Sequence, residues 1–479
     1  MPFEPKIVAY LCTWCSYTGA DTAGIARLKS PANLRAIRVP CSGRVSPELI
    51  LRTFDQGADG VLVLGCHIGE CHYDSGNHRT AKRIPVLSAL LTFAGLEPDR
   101  LRLDWVSASE GERFSRIVNE FTEAIRALGP IHWRVPDGRA AIQMASELAD
   151  LEHLLQLAEE KPEPVGFDSR VNPANWENLT QVIRSTARDL LQNHAVDVVI
   201  GYEIGTGGRT RPAFIRQPEQ AERLIWNQDC THNLFLYVED ALRRQSNTAD
   251  SKGAVAIVAK PCDLRAMNVL LTENRFERPQ VHIIGVTCDG IRDGAGTTKP
   301  EPAERWTLQD RCITCDQHTP ALYDTLIGAP STTASPTSTP SPASITTKAV
   351  KVLESLQPEE RLEFWLSQFD RCIRCYACRQ ACPMCYCPTC LFERDDSLWV
   401  GMKIGLNEKR TFHLGRAYHL AGRCIGCDEC SRVCPMDIPV SLLNRKLAQE
   451  IEQHFAFRAG VEPKPSPILT VLGGEERSA

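Results

Sequence analysis

Two stretches near the end of the chain, CIRCYACRQACP at 372–383 and CIGCDECSRVCP at 424–435, repeat the spacing Cys-x2-Cys-x2-Cys-x3-Cys-Pro. Thiolates so spaced suit iron–sulfur chemistry: three closely set cysteines wrap one corner of a cubic cluster, and the fourth reaches a neighbouring one. One 4Fe-4S centre would take Cys372, Cys375, Cys378 and Cys434; the other would take Cys424, Cys427, Cys430 and Cys382. Pro383 and Pro435 stop the local helix and turn the chain away after the fourth ligand. Zinc sites close at four ligands supplied in pairs, not in runs of this form. Between the runs, MCYCPTC adds Cys385, Cys387 and Cys390. These three thiols could be structural, could replace a ligand, or could help bind a further cluster.

The chain has 21 cysteines, and the other ten fall in two upstream blocks. The first holds Cys12, Cys15, Cys41, Cys66 and Cys71, and the second Cys230, Cys262, Cys288, Cys312 and Cys315. The opening MPFEPKIVAYLC has neither the basic start nor the long apolar core of an export signal, so a cytoplasmic protein with reduced thiols is expected. A formal net charge of −5 gives no basic field for nucleic acid. No apolar run approaches the ~20 residues of a membrane helix, so an integral membrane protein is not expected.

The elements that position these sulfurs read as α/β. KIVAYLC, RAIRVPC, GVLVLGC and LRLDWV are short buried-strand signals alternating with helical patterns around Ala23, Pro47 to Gln56, Ala81 to Ala94 and Glu110 to Leu128. The alternation predicts a doubly wound parallel sheet. Three of these runs end on Cys12, Cys41 and Cys66, at the strand ends where open α/β sheets bind ligands, with Cys15 or Cys71 on adjacent loops to complete four. In the middle of the chain, WENLTQVIRSTARDLLQ predicts a helix, and VDVVIGYEIG, GAVAIVAKPC and VHIIGVTC predict strands of a second α/β domain; RCITCD follows. Helical patterns at PEERLEFWLSQF and PVSLLNRKLAQEIEQHF make the C-terminal domain mainly α-helical, with Phe364, Trp365 and Phe369 as core or interface. The predicted division is 1–132, a connecting helix at 133–165, a middle domain at 166–327, a Pro/Ser/Thr-rich tether at 328–347, a cluster domain at 348–457 and a tail at 458–479.

LCTWCSYTGADTAG, RVPCSGRVSPELI, GADGVLVLGCHIGECHYDSGNHR and WVSASEGERF resemble the signature segments of the methyl-viologen-reducing hydrogenase delta subunit. That resemblance implies one 2Fe-2S cluster held by four of Cys12, Cys15, Cys41, Cys66 and Cys71, the spare one left open. It also implies electron exchange between a hydrogenase, formate dehydrogenase or other dehydrogenase and a flavoprotein similar to the flavin subunit of heterodisulfide reductase. His67 and His72 are expected to hydrogen-bond beside the site. AKPCDLRAM, IGVTCDG and CITCDQHTP resemble the beta-subunit family of deazaflavin-reducing hydrogenases and formate dehydrogenases, which implies a 4Fe-4S cluster on Cys262, Cys288, Cys312 and Cys315. Members of that family often bind FAD, and EIGTGGRTRP would then serve its phosphate through Gly207, Gly208, Arg209 and Arg211. The chain departs from the family after Cys315, where HTPALYDTLIG runs into the tether, so a cluster-bearing remnant is expected. The C-terminal runs resemble a two-cluster bacterial ferredoxin. No nucleophile elbow, dinucleotide fingerprint or HExxH is present, and no catalytic residue is assigned. The expected function is an iron–sulfur electron-transfer subunit with one 2Fe-2S and three 4Fe-4S clusters. The alternative is a flavin-containing oxidoreductase subunit that reduces a soluble carrier in its middle domain.

Overall fold

The computed structural model describes residues 3–133, 173–245, 253–294, 307–329 and 345–468, apart from Thr314, Asp316, Asp395, Ser397, Leu398 and Met402. The connecting helix expected at 133–165 and most of the tether at 328–347 lie outside the described residues, as does the end of the tail.

The N-terminal region is β1 (Ile7–Cys12), α1 (Ser16–Ile25), β2 (Leu34–Val39), α2 (Pro47–Asp55), β3 (Gly60–Gly65), α3 (Gly76–Phe93), β4 (Leu101–Trp105) and α4 (Gly111–Leu128). Its four strands are parallel in the order β2-β1-β3-β4, and every residue of β3 is buried, which explains why this strand reads as one continuous apolar run. Cys12 stands opposite Val39, and Leu11 opposite Leu64. The chain therefore leaves all three strands at one end of the sheet, where Cys12, Cys41 and Cys66 follow. Helix α3 starts at Gly76, ahead of the Ala81 that the apolar pattern suggests, because GNHRT carries no apolar periodicity.

The middle region opens with α5 (Pro173–Gln192) and builds a second sheet from β5 (Val198–Ile204), β6 (Thr210–Ile215), β7 (Val255–Ala259), β8 (Val281–Val286) and β9 (Thr325–Ile327). Its order is β6-β5-β7-β8-β9, parallel except for β6. Helices α6 (Val238–Gln245) and α7 (Pro261–Thr272) flank β7 in sequence. Beyond the tether come α8 (Ile345–Ser355), α9 (Pro358–Asp370), α10 (Leu406–His419) and α11 (Ser441–Phe455).

These C-terminal helices share a core with the first sheet. Phe364, Trp365, Phe369, Leu414 and Leu443 pack in one cluster with Ile50, Leu87 and Leu90. The Trp365 indole donates to the Phe93 carbonyl (3.0 Å), and the Tyr418 hydroxyl to that of Arg83 (3.1 Å). Asp55 at the end of α2 accepts from Arg410 (2.5 Å) and Thr411 (2.7 Å) of α10, all three side chains being buried. The middle region meets the loops between these helices through Glu273, which binds Arg423 (2.6 Å) and Tyr386 (2.5 Å). Each fully buried Leu or Phe contributes ~1.5–3 kcal/mol, so this shared core holds the helices against the first sheet. The low-complexity tether suggests a loosely swinging module; the described residues form one packed body.

Breaking one partner of a buried ion pair strands the other charge. Arg410→Met is expected to destabilise the chain by about 3–5 kcal/mol. A denaturation curve that does not move on this substitution would show that the seam is not part of the fold's stability.

Candidate metal centres

At the N-terminal sheet, the Cys12 and Cys66 sulfurs are 3.4 Å apart and those of Cys41 and Cys71 are 3.7 Å apart. The hydrogen bond from Cys66 lowers the Cys12 thiol to about 6 and holds Cys66 far above its ordinary range, one proton serving both. Burial pushes Cys41 to about 11. Cys15 is half-buried and also hydrogen-bonds Cys66, so all five thiols share one crevice at the strand ends. The crevice is braced by Ser16, whose hydroxyl accepts from the Cys12 amide (2.7 Å) and donates to the Leu64 carbonyl (2.7 Å). Gly76 closes it: a Cβ there would lie 2.0 Å from the Cys41 sulfur and 3.2 Å from that of Cys71. His67 pairs with Glu110 (2.6 Å), and His72 stacks on Trp14 with ring centroids 3.9 Å apart.

In the second sheet, Cys262 follows β7 on the first turn of α7, Cys288 follows β8, and Cys312 and Cys315 come from the Asp310–Ile313 turn and the loop after it. All four line one cavity of about 110 Å³. Burial raises the Cys262 and Cys288 thiols well above their ordinary range. The Ile291 amide donates to the Cys312 sulfur (3.3 Å), and the His318 ring Nδ1 lies 3.0 Å from the Cys288 carbonyl. The same cavity is walled by Ile425, Gly426 and Cys427 of the C-terminal region, and by Arg311, Arg265 and Arg445. Arg311 donates to the Cys427 carbonyl (2.6 Å) and stands 3.8 Å from Glu429.

The glycines expected to serve a flavin phosphate lie in a strand-to-strand turn. Gly207 and Gly208, at φ of +72° and +76°, form the turn between β5 and antiparallel β6, and the Gly205 amide donates to the Arg209 carbonyl (2.6 Å). Arg211 is held by Glu203 (2.8 Å).

The two C-terminal runs fold alike. Arg374 (φ +53°) and Tyr376 (φ +59°) occupy the same places in the first loop as Gly426 (φ +70°) and Asp428 (φ +54°) in the second. Left-handed residues alternating with ordinary ones curl a loop so that its amides face inward toward negative charge; the Arg374 amide points at the Cys372 sulfur (3.3 Å). Cys382, Cys424, Cys427 and Cys430 line one cavity. Cys372 is close enough to Cys434 and Cys375 to feel their charge, and Cys378 to feel Cys372 and Cys434. Among the described residues no three His, Cys, Asp or Glu side chains converge on a point for a single ion. Four thiols set around a cavity fit instead a cluster, whose ligands bind different irons.

Sequence reasoning missed the cations. Arg416 of α10 is buried, donates to the Cys378 carbonyl (2.9 Å) and lines the Cys382–Cys430 cavity. Arg445 of α11 binds Asp428 (2.8 Å) and the Gly426 carbonyl (2.8 Å) over the second loop. Arg311 adjoins Cys312 and could have been noticed; Arg416 and Arg445 lie on helices remote in sequence and give no local signal. Lys260, fully buried, pairs with Asp263 (2.9 Å) and donates to the His232 carbonyl (2.8 Å) and the Tyr202 hydroxyl.

Residues 7–129 match the family described as methyl-viologen-reducing hydrogenase, delta subunit, and residues 368–438 match the 4Fe-4S dicluster domain. Over 128 residues the chain is 49% identical to the vhc iron-sulfur subunit of the F420-non-reducing hydrogenase of Methanococcus voltae, covering 27% of this chain and 89% of that one. The iron-sulfur subunit of the F420-non-reducing hydrogenase of Archaeoglobus profundus is 50% identical over 128 residues, 27% of this chain and 93% of the relative. A subunit of the ferredoxin/F420H2-dependent CoB-CoM heterodisulfide reductase of Methanosarcina acetivorans is 51% identical over 127 residues, 26% of this chain and 16% of the relative. No helix among the described residues is long and apolar enough to cross a membrane.

The contact between Gly76 and Cys41 makes a direct test of the N-terminal crevice. Gly76→Ala should force the Cys41–Cys71 pair apart and lower the iron retained per chain, whereas Gly24→Ala, whose Cβ meets nothing within 4 Å, should not. Equal iron in both variants would separate the crevice from metal binding.

Proposed function

Because the chain belongs through residues 7–129 to the methyl-viologen-reducing hydrogenase delta-subunit family and carries a 4Fe-4S dicluster domain at 368–438, we propose that it is an iron–sulfur electron-transfer subunit. It relays electrons between a hydrogenase, formate dehydrogenase or other dehydrogenase and a flavoprotein similar to the flavin subunit of heterodisulfide reductase. The relatives named as hydrogenase iron-sulfur subunits and as part of a heterodisulfide reductase support this pairing.

The ligand sets follow the thiol groupings. Four of Cys12, Cys15, Cys41, Cys66 and Cys71 hold a 2Fe-2S cluster, and Cys262, Cys288, Cys312 and Cys315 a 4Fe-4S cluster. Two more 4Fe-4S clusters take Cys372, Cys375, Cys378 and Cys434, and Cys424, Cys427, Cys430 and Cys382. Such centres supply one-electron exchange, tuned by hydrogen bonds to sulfur, net charge and exposure.

The rest is the chain's own work, and the wall shared by two thiol sets is the observation that carries the reading. Cys427 lines both the cavity of the middle region and that of the C-terminal region. Arg311 ties one set to the other by its bond to the Cys427 carbonyl and by its charge facing Glu429. A fixed spacing between adjacent stations is what a conduit requires. The middle sheet contributes a station and its packing, with Lys260 and Asp263 pairing across the start of α7, the turn that carries Cys262.

Anaerobically purified protein is expected to contain at least about 14 iron atoms, from one two-iron and three four-iron centres. Cys375→Ser should abolish one four-iron paramagnetic signal and leave the N-terminal signal intact. Iron far below that number, or loss of both signals together, would refute the assignment.

A further inference from the structure

Of the five cysteines that the ligand sets above leave over, three stand together at the seam. Cys385, Cys387 and Cys390 line a cavity of about 400 Å³. Its far wall is Ser46, Pro47 and Glu48 at the start of α2, the segment that leaves Cys41, with Arg83 of α3 beside them. Met384, Arg416 and Leu420 line this cavity and also the one that holds Cys382, Cys424, Cys427 and Cys430. The three thiols thus lie between the N-terminal crevice and the C-terminal pair of thiol sets.

Arg416 is the feature that asks for a ligand here. Its residue is 3% exposed, and its Nη2 is committed to the Cys378 carbonyl, yet its Nε and Nη1 have no hydrogen-bond partner. A guanidinium cannot discard its proton to escape burial and needs anionic sulfur beside it; of the sulfurs around Arg416, Cys385 acts on it most strongly, ahead of Cys382, Cys430 and Cys378. His419 borders the cavity but its Nε2 is taken by Glu48 (2.5 Å), which leaves the thiols as the donors that can bind a metal. Arg379 fixes their loop by donating to the Cys387 carbonyl (3.0 Å). The thiols do not converge on a point for a single ion.

We propose that Cys385, Cys387 and Cys390 hold a further thiolate-bound iron–sulfur cluster in the seam cavity, paired with the buried Arg416 charge and placed between the N-terminal and C-terminal stations. This rests on the reading of the chain as an electron conduit. Three protein thiolates leave one iron to a non-protein ligand, which suits a centre at the molecular edge, where Cys387 is exposed.

The test uses the full chain, purified without oxygen. Cys387→Ser with Cys390→Ser is expected to lower bound iron by about three or four atoms and to remove one paramagnetic signal. The signal lost in Cys375→Ser and the N-terminal signal should both persist, which also reports that the variant folds. Because Cys387 is exposed, Cys387→Ser alone serves as a second, unstrained probe and should weaken the same signal. Wild-type protein that holds about 14 iron atoms, with iron and spectra unchanged in both variants, overturns the further centre and leaves the conduit intact. Zinc lost from the double variant with no change in iron overturns it as well. Wild-type protein without iron overturns both readings.

Discussion

Burial of anionic sulfur is the constraint around which this molecule is arranged. Left alone in the interior, a thiol keeps its proton: burial lifts Cys427 to about 12 and Cys288 and Cys430 well above their ordinary range. Sulfur becomes a thiolate ligand there only when positive charge is set beside it. In the proposed clusters the metal would supply part of that charge and the protein the rest. Arg311, Arg416 and Arg445 each face one or more of the thiol cavities. All three are arginines, and the choice has a physical reason. A buried lysine can lose its proton, whereas a guanidinium stays charged and offers several donors in a fixed plane.

Gathering the sulfurs is a separate problem, and the chain solves it in two ways. A parallel sheet brings the ends of sequence-distant strands to one edge, so Cys12, Cys41 and Cys66 meet without long loops, and Cys262 and Cys288 do the same after β7 and β8. The C-terminal region has no sheet among its described residues and relies on tight loops instead. There the geometry is forced by left-handed backbone at Arg374, Tyr376 and Asp428, which costs roughly 1–3 kcal/mol at each non-glycine position and persists because the surroundings hold it. Gly426 takes the place of Arg374 in the second loop because Arg445 packs over it; a Cβ there would lie 2.8 Å from the guanidinium.

What could be read from residues alone follows from these two solutions. Strands β1, β3, β7 and β8 announce themselves as apolar runs because both faces are buried, and the cysteine spacing of the last two loops is local. Strand β6 is not legible: TRPAFI carries Arg211 and Pro212 and sits at an antiparallel edge, so it has neither the run nor the company of its neighbours. Helix α10 escapes for the opposite reason. It lies at the centre of the C-terminal region, yet it buries Lys409, Arg410, Thr411, His413 and Arg416, polar residues that erase any apolar stripe. Arg416, which the cluster chemistry leans on, was hidden with it. The glycines of EIGTGGRTRP form a turn between strands, which needs positive φ as much as a phosphate contact does, so their pattern alone does not separate the two uses.

The seam joins these threads. A Pro/Ser/Thr-rich tether invites the picture of a carrier module that shuttles between partners, but Trp365, Phe369 and the Asp55–Arg410 pair lock the helices onto the first sheet. Glu273 locks them to the second. On the proposed reading, a rigid body would remove the search step from electron passage and transfer the demand to geometry: every gap between stations would have to be short in the folded chain, since no motion would close it. Between the middle and C-terminal thiols that demand is met by a common wall at Cys427. Between the N-terminal crevice and the rest, the shared surface is the wall of the cavity lined by Cys385, Cys387 and Cys390. If the chain works as the fixed wire proposed above, three thiols at that place have a use; in a swinging carrier they would have none.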